Sequence, residues 1–177
     1  KTEKILKTRA SIDGLTQCFN RDEILHQLEQ LLEDSQNQQQ LLPFCVFMLD
    51  LDHFKNINDT WGHLAGDESL IHFSQLLRSA RKQNMTVGRF GGEEFLLIMK
   101  VSSLDEAMEF DSRLRATLQN HPLMYHDQTI KLNYSAGVVL IEQGCCNLTH
   151  LLTSVDQALY HAKKTGRGRT IQAEEHF

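Results

Sequence analysis

The sequence predicts an α+β domain in which helices flank a central, mostly antiparallel sheet of about five strands. Short apolar runs alternate with longer segments whose apolar residues recur at helical spacing, so strands and helices interleave along the chain. Two of the runs, residues 85–90 and 94–99, are joined by a Gly-Gly turn, which makes part of the sheet antiparallel. This combination favours a ferredoxin-like α+β sandwich over a doubly wound parallel sheet.

The first helix is predicted from its N-cap. Asn20 is a favourable N-cap residue, and Glu23 at the third helical position completes a pattern of capping-box type. Apolar residues at helical spacing then continue to about Asp34. The Gln-rich segment 35–40 is interpreted as a surface loop or a frayed helix end.

A central strand is predicted at residues 44–49, which are apolar and rich in aromatic and β-favouring side chains. It ends at two aspartates, Asp50 and Asp52, which share one face if the strand continues through them and diverge if it ends at Asp50. A carboxylate at the end of a buried strand needs a partner or a cation. We assign Asp50 to a metal and Asp52 to the N-cap of the following helix.

The remaining elements follow in order from apolar periodicity and from Gly and Pro punctuation. They are a short helical segment at 53–60, a connector at 61–66, helices at 67–81, 104–118 and 148–164, a strand at 132–141 interrupted by Gly137, and a closing strand at Thr170-Ile171.

The hairpin turn at residues 91–94 carries unusual chemistry. Gly91 and Gly92 are expected to supply the positive φ of a tight turn. Glu93 and Glu94 follow, and adjacent carboxylates repel unless water or a cation screens them. The turn is either a solvated loop or a carboxylate tip that holds a divalent metal beside a phosphate.

Two further groups of polar residues have a functional and a structural interpretation. A guanine edge could be recognised by Asn58, His63 and Asp67, because an Asn side chain both donates and accepts hydrogen bonds whereas an ionised Asp only accepts them. In the structural interpretation, Asn58 forms a turn and Asp67 caps a helix. Lys163 and Arg167 could bind phosphate, or simply complement the dipole of the helix that ends there. Lys55 is a third candidate for phosphate because it follows the Asp50 strand end.

Composition excludes several classes. The 177 residues fit one domain, and a net charge of −5 argues against a general nucleic-acid binder. No run is apolar enough to span a bilayer, so no direct membrane contact is expected. The four cysteines, Cys18, Cys45, Cys145 and Cys146, lack CxxC spacing and fit a reducing cytoplasm, with Cys45 as a small buried hydrophobe. No Walker-A, GxGxxG or nucleophile-elbow motif occurs.

Taken together, these segments resemble the GGDEF family, the diguanylate cyclases of bacteria. The resemblance covers nearly the whole chain, from Asp13 to Arg167, and its parts fall in family order: LDLDHFKNINDTWGHLAGDE, RFGGEEF, YSAGV and DQALYHAKKTGRGR. It implies a palm-like fold shared with nucleotidyl cyclases. It also implies condensation of two GTP molecules into cyclic di-GMP with release of pyrophosphate, by a homodimer with two Mg²⁺ or Mn²⁺ ions per site.

The resemblance also implies a role for each matching residue. Asp50 and the Leu51 carbonyl resemble metal ligands, Glu93 the essential metal-binding carboxylate and base, and Glu94 a support for the second metal. Asn58 and Asp67 match the guanine-reading pair, with His63 in the same pocket. The positions that hold the triphosphate are matched by Lys55, Lys163 and Arg167, with Lys55 also counted as catalytic. Gly91 and Gly92 would let the backbone approach the nucleotide.

One family feature is missing. The inhibitory product site usually carries RxxD shortly before the signature, and here residues 82–85 read Lys-Gln-Asn-Met. We therefore expect no inhibitory product site in this turn. The competing hypotheses are a catalytically inactive domain that senses GTP or cyclic di-GMP, and a structural dimerisation module. Residues 1–10 are expected to end an upstream linker or signalling helix of a missing sensory domain, and 11–177 to form the catalytic domain, in the cytoplasm.

Overall fold

The computed structural model describes residues 11–37, 43–142 and 147–174. Five helices and seven strands lie within these residues. In chain order they are α1 (Arg21–Asn37), β1 (Phe44–Leu51), α2 (Phe54–Trp61), α3 (His63–Ala80), β2 (Met85–Arg89), β3 (Glu94–Lys100), α4 (Leu104–Asn120), β4 (Leu123–Tyr125), β5 (Gln128–Ile130), β6 (Tyr134–Ile141), α5 (Leu148–Lys164) and β7 (Thr170–Gln172).

The predicted fold class is confirmed. The main sheet has five strands in the order β2-β3-β1-β6-β7. The central strand β1 is antiparallel to both of its neighbours, β3 and β6, and β7 alone in this sheet pairs in parallel, with β6. The sheet is therefore a mostly antiparallel palm with β1 and its terminal aspartate at the centre.

Side chains of β1 alternate between two cores, one on each face of the sheet. Cys45, Phe47 and Leu49 pack on the face covered by α3 and α4, whereas the even-numbered residues from Phe44 to Met48 pack on the face covered by α1 and α5. Cys45 is fully buried, as expected, and burial raises the pKa of its thiol to about 12. The same alternation carries Asp50 to the α5 side.

Gly137 does not interrupt its strand, contrary to the sequence interpretation. Strand β6 is continuous through it, and α5 lies directly against it. A Cβ at Gly137 would overlap the Val155 carbonyl oxygen and would lie 2.7 Å from the Leu159 nitrogen. The glycine therefore allows α5 to pack closely on β6.

The predicted boundaries were wrong at the end of the first helix and at the 61–66 connector. The first helix continues to Asn37 rather than ending near Asp34, and the rest of the Gln-rich segment, 38–40, lies outside the described residues. Its predicted N-cap is confirmed, because Asn20 Oδ1 accepts a hydrogen bond of 3.0 Å from the Glu23 amide. The predicted connector at 61–66 is in fact the single residue Gly62, which has a φ of 89° and joins α2 directly to α3. Asp67 consequently lies inside α3 and does not cap it.

A small second sheet was not predicted. Strands β4 and β5 form an antiparallel hairpin whose turn residues, His126 and Asp127, have φ values of 45° and 60°. A two-residue turn of this kind is usually signalled by Asn-Gly or Asp-Gly, and His-Asp lacks that signal. Cys145, Cys146 and residues 1–10 lie outside the described residues. None of the helices described here is long and apolar enough to cross a membrane.

Candidate active site

Asp50 is the centre of the candidate site. It is the last polar residue of β1, lies opposite Glu94 on β3 and Ser135 on β6, and is 5% exposed. Its Oδ2 lies 2.9 Å from Lys163 Nζ, at the end of α5. Burial raises the pKa of Asp50, as do the nearby charges of other carboxylates, while the Lys163 ammonium opposes this rise. The site thus concentrates negative charge at the end of the central strand.

The two signature glutamates lie beside Asp50. Alternate residues of a strand face the same side of the sheet, and Leu96 and Ile98 of β3 pack on the α5 side. Glu94 therefore lies on that side too, on the same face as Asp50, which is opposite it on β1. Burial and the Asp50 charge raise the pKa of Glu94, and Lys163 opposes them. Glu93 is half-buried, and its carbonyl accepts a hydrogen bond of 3.2 Å from the Leu51 amide, which ties the hairpin tip to the end of β1.

The backbone of the turn differs from the prediction that Gly91 and Gly92 have positive φ. Neither Gly91 nor Gly92 has a positive φ. The turn is closed instead by the Phe90 and Gly91 amides, which both donate to the Glu94 carbonyl, at 2.8 and 3.3 Å. A Cβ at Gly92 would meet nothing within 4 Å. The backbone at Gly92 is therefore open to an approaching ligand, and the turn geometry alone does not require glycine there.

The side chain that holds this turn, Arg89, was not among the predicted site residues. Arg89 donates from Nε and Nη2 to the Gly92 carbonyl, at 3.1 and 2.9 Å, and from Nη1 to both oxygens of Asp13 at 3.3 Å. Asp13 also accepts from the Thr16 amide and hydroxyl. Burial acts to raise the pKa of Asp13, but the Thr16 hydrogen bonds and the Arg89 charge outweigh it and lower that pKa. The D-x-x-T spacing and the arginine before the hairpin were the available signals.

The assignment of Asp52 as a helix cap was wrong. His53 occupies the N-cap position of α2 and makes no side-chain cap. Asp52 is 8% exposed and accepts two hydrogen bonds from distant segments, one of 2.6 Å from Ser135 Oγ and one of 2.9 Å from the Gly168 amide. Asp50 and Asp52 thus serve different partners.

The three candidate phosphate-binding cations differ in their surroundings. Lys163 is half-buried and contacts Asp50, as described above. Arg167 is exposed in the loop after α5, and Lys55 is exposed in the first turn of α2. Lys163 also lies in the last turn of its helix, so the dipole interpretation and the site interpretation both apply to it.

The candidate base-reading residues lie on the short α2 and the start of α3. Asn58 is half-buried in α2, while His63 and Asp67 are exposed in the first turns of α3. A Cβ at Gly66 would overlap Asn58 Oδ1 and lie 2.9 Å from Asn58 Cγ. Gly66 therefore lets the Asn58 amide pack against the turn of α3 that carries Asp67.

The donor set suits a hard divalent cation. Mg²⁺ prefers carboxylate and carbonyl oxygens, and Asp50, Glu93 and Glu94 supply carboxylates at one end of the sheet. Burial and the charges of neighbouring carboxylates raise the pKa of Asp50 and of Glu94. Over residues 11–37, 43–142 and 147–174, no three Asp, Glu, His or Cys side chains are already arranged to hold an ion. The oxygen ligands are therefore of the type that a divalent metal prefers. In this structure the positive charge beside Asp50 is the Lys163 ammonium.

Comparison with known proteins identifies relatives along the whole domain. The family model described as "Diguanylate cyclase, GGDEF domain" matches residues 10–169. Diguanylate cyclase DgcP of Pseudomonas aeruginosa is 35% identical over 163 residues, which are 92% of this chain and 24% of DgcP. The probable diguanylate cyclase DgcT of Escherichia coli is 29% identical over 170 residues, 95% of this chain and 37% of DgcT. The chain thus spans about a quarter and about a third of these two relatives.

Solved structures of diguanylate cyclases are also similar to this chain. Diguanylate cyclase SiaD of Pseudomonas aeruginosa, solved in complex with its activator SiaC, matches with a TM-score of 0.87 and 31% identity over 97% of this chain and 65% of SiaD. The domain of DgcB from Caulobacter crescentus, solved in complex with c-di-GMP, matches with a TM-score of 0.86 and 27% identity over 94% of each chain.

Proposed function

Because the chain belongs to the GGDEF family, we propose that it is a diguanylate cyclase, which condenses two molecules of GTP into cyclic di-GMP and releases pyrophosphate. The observation that carries the proposal is that Asp50, Glu94 and Lys163 lie together at the end of the central strand, next to the hairpin that bears Glu93. A solvated turn or a structural module would gain nothing from burying these charges together.

In this function the carboxylates serve metal binding and proton transfer. Asp50, the Leu51 carbonyl, Glu93 and Glu94 would hold divalent cations, two Mg²⁺ or Mn²⁺ per site, which when bound lower the pKa of the attacking hydroxyl and neutralise phosphate charge. Glu93 accepts the proton of the 3′-hydroxyl. Its position on the tight tip next to Leu51 keeps it at the end of β1.

The basic side chains and the polar residues of α2 and α3 serve substrate binding. Lys163, Arg167 and Lys55 bind the triphosphate, and their charges stabilise the leaving pyrophosphate. Asn58 and Asp67 hydrogen-bond the guanine edge, with His63 in the same pocket. Gly91 and Gly92 leave room for the nucleotide at the hairpin, which the open space at Gly92 supports.

One site holds one GTP, so two domains must face each other, and the active species is a homodimer. The test is GTP turnover at increasing protein concentration, with Mg²⁺, for the chain alone and for the chain fused at its N-terminus to a parallel dimeric coiled coil. Turnover per protomer should rise with concentration in the free chain and become independent of concentration in the fusion. GTP binding without cyclic di-GMP in either protein would instead favour a nucleotide sensor, and absence of GTP binding would refute both.

The turn before β2 should not support product inhibition. Lys82 and Gln83 are exposed, but Met85, at the position where the family motif ends in Asp, is 6% exposed and packs in the core. Initial rates should therefore be unchanged by added cyclic di-GMP acting at this turn. Tight inhibition that is lost in Lys82→Ala would contradict the prediction.

Substitution of Gly66 by Ala should weaken GTP binding by roughly ten-fold, because the new methyl group displaces the Asn58 amide and its hydrogen bonds to the base. Gly14→Ala is the matched control, since a Cβ there meets nothing within 4 Å. The measurement is equilibrium binding of GTP. The loss should disappear in an Asn58→Ala background, and a Gly66→Ala protein with unchanged affinity would show that Asn58 does not read the base.

A further inference from the structure

The loop that carries Arg167 has an unusual backbone. Three consecutive residues have positive φ, with values of 121° at Gly166, 62° at Arg167 and 59° at Gly168. Glycine adopts this region freely, but a residue with a side chain does so only at a cost in free energy. The loop conformation at Arg167 must therefore be imposed by its surroundings.

Hydrogen bonds join this loop to α5, to β6 and to Asp52. The Arg167 amide donates to the Ala162 carbonyl at 3.0 Å, and the Arg169 carbonyl accepts from the Ala136 amide at 2.9 Å. Both of these bonds join backbone groups. The third bond falls between them, where the Gly168 amide donates to Asp52 Oδ2 at 2.9 Å, and it is made by a side chain 116 residues away in sequence.

Asp52 is itself fixed for this contact. Its other oxygen, Oδ1, accepts a hydrogen bond of 2.6 Å from Ser135 Oγ, and Ser135 is the Cα partner of Asp50 across the sheet. Asp52 is 8% exposed, and its two oxygens accept from a buried serine and from a half-buried glycine. Gly168 completes the fit, because a Cβ there would lie 2.8 Å from Asn133 Nδ2.

We propose that Asp52 is a positioning residue that anchors the 165–169 loop to the metal-binding end of the sheet and so fixes Arg167 for the triphosphate. The loop follows Lys163 by only a few residues, and Asp52 follows Asp50 by two. One carboxylate thereby ties the strand end that supplies Asp50 to the loop that supplies Arg167. This inference rests on the proposed function, because it takes Arg167 as a triphosphate ligand.

Two neutral variants isolate the hydrogen bond from the charge. Asp52→Asn keeps an oxygen that can accept from Gly168, and its amide can donate to Ser135 Oγ. Asp52→Ala removes both contacts and carries the same charge as Asp52→Asn. GTP should bind about ten-fold more weakly to Asp52→Ala than to Asp52→Asn in Mg²⁺. This difference should vanish in an Arg167→Ala background, whereas a general loss of structure or of metal affinity would persist there.

Exchange of the Gly168 amide, followed by NMR without nucleotide, tests the anchor independently of activity. Exchange should be at least about ten-fold faster in Asp52→Ala than in Asp52→Asn. If Asp52→Ala does not fold, Asp52→Leu removes the acceptor while filling the space. Equal exchange, or a GTP-binding difference that survives in Arg167→Ala, would overturn the proposal. A wild-type chain that binds no GTP, with the exchange difference intact, would overturn the Arg167 role together with the proposed function.

Discussion

Replacement of Glu93 by Gln is expected to abolish formation of cyclic di-GMP, with a loss of at least about 10³-fold, or ~4 kcal/mol of transition-state stabilisation. The substitution keeps the size of the side chain but removes the charge that binds metal and the oxygen that takes the proton. Glu93 sits at the hairpin tip that is tied to the Leu51 amide, so an isosteric change should leave the turn in place. The measurement is product formation from GTP and Mg²⁺ by the dimeric fusion.

Glu94→Gln is the matched control at the adjacent position. Glu94 lies opposite Asp50 in the sheet, and its pKa is raised by burial and by the Asp50 charge, so its loss also relieves repulsion. This variant should retain a measurable rate. Equal and complete loss in both glutamate variants would show that the two carboxylates are not functionally distinct, and full activity of Glu93→Gln would exclude it as ligand and base.

Asp50→Asn should be as inactive as Glu93→Gln, for a related reason. The aspartate is buried at the end of β1, and its charge compensates the half-buried Lys163 ammonium. Asn removes the metal ligand and leaves Lys163 facing a neutral amide. Thermal denaturation separates loss of chemistry from loss of fold, and cyclic di-GMP formation that survives both Asp50→Asn and Glu93→Gln would refute the two-metal mechanism.

The fold could be predicted because its signals are local. Apolar periodicity and the Asn20 cap identified α1, and a short apolar run identified the central strand, which has Asp50 near its end. Boundaries failed where a single glycine replaces a connector. Gly62 turns α2 into α3 at once, and nothing in the local sequence distinguishes this from a longer loop.

Candidate site residues could be identified where each lies in a segment with a recognisable sequence pattern. Asp50, Glu93 and Lys163 belong to recognisable segments, and the structure brings them to one end of the sheet. The pairing of Asp52 with Gly168 and of Arg89 with Asp13 could not be predicted, since these partners lie 116 and 76 residues apart in sequence. A short polar side chain next to a helix start looks like a cap until the tertiary structure supplies a better donor.

Substitution of Gly137 by Ala should destabilise the domain by about 3 kcal/mol or more, which corresponds to a fall in Tm of roughly 6–12 °C for a chain of this size. The added methyl group would overlap the Val155 carbonyl oxygen and approach the Leu159 nitrogen to 2.7 Å, and both are backbone atoms that cannot rotate away. Helix α5 must then move off β6, and Lys163 at its end moves with it, so activity should fall as well as stability. Gly14→Ala, which meets nothing within 4 Å, should change Tm by less than about 2 °C. A Gly137→Ala domain with the Tm of the wild type would mean that α5 can shift without cost, and the close helix–strand contact would then have no part in holding Lys163 at Asp50.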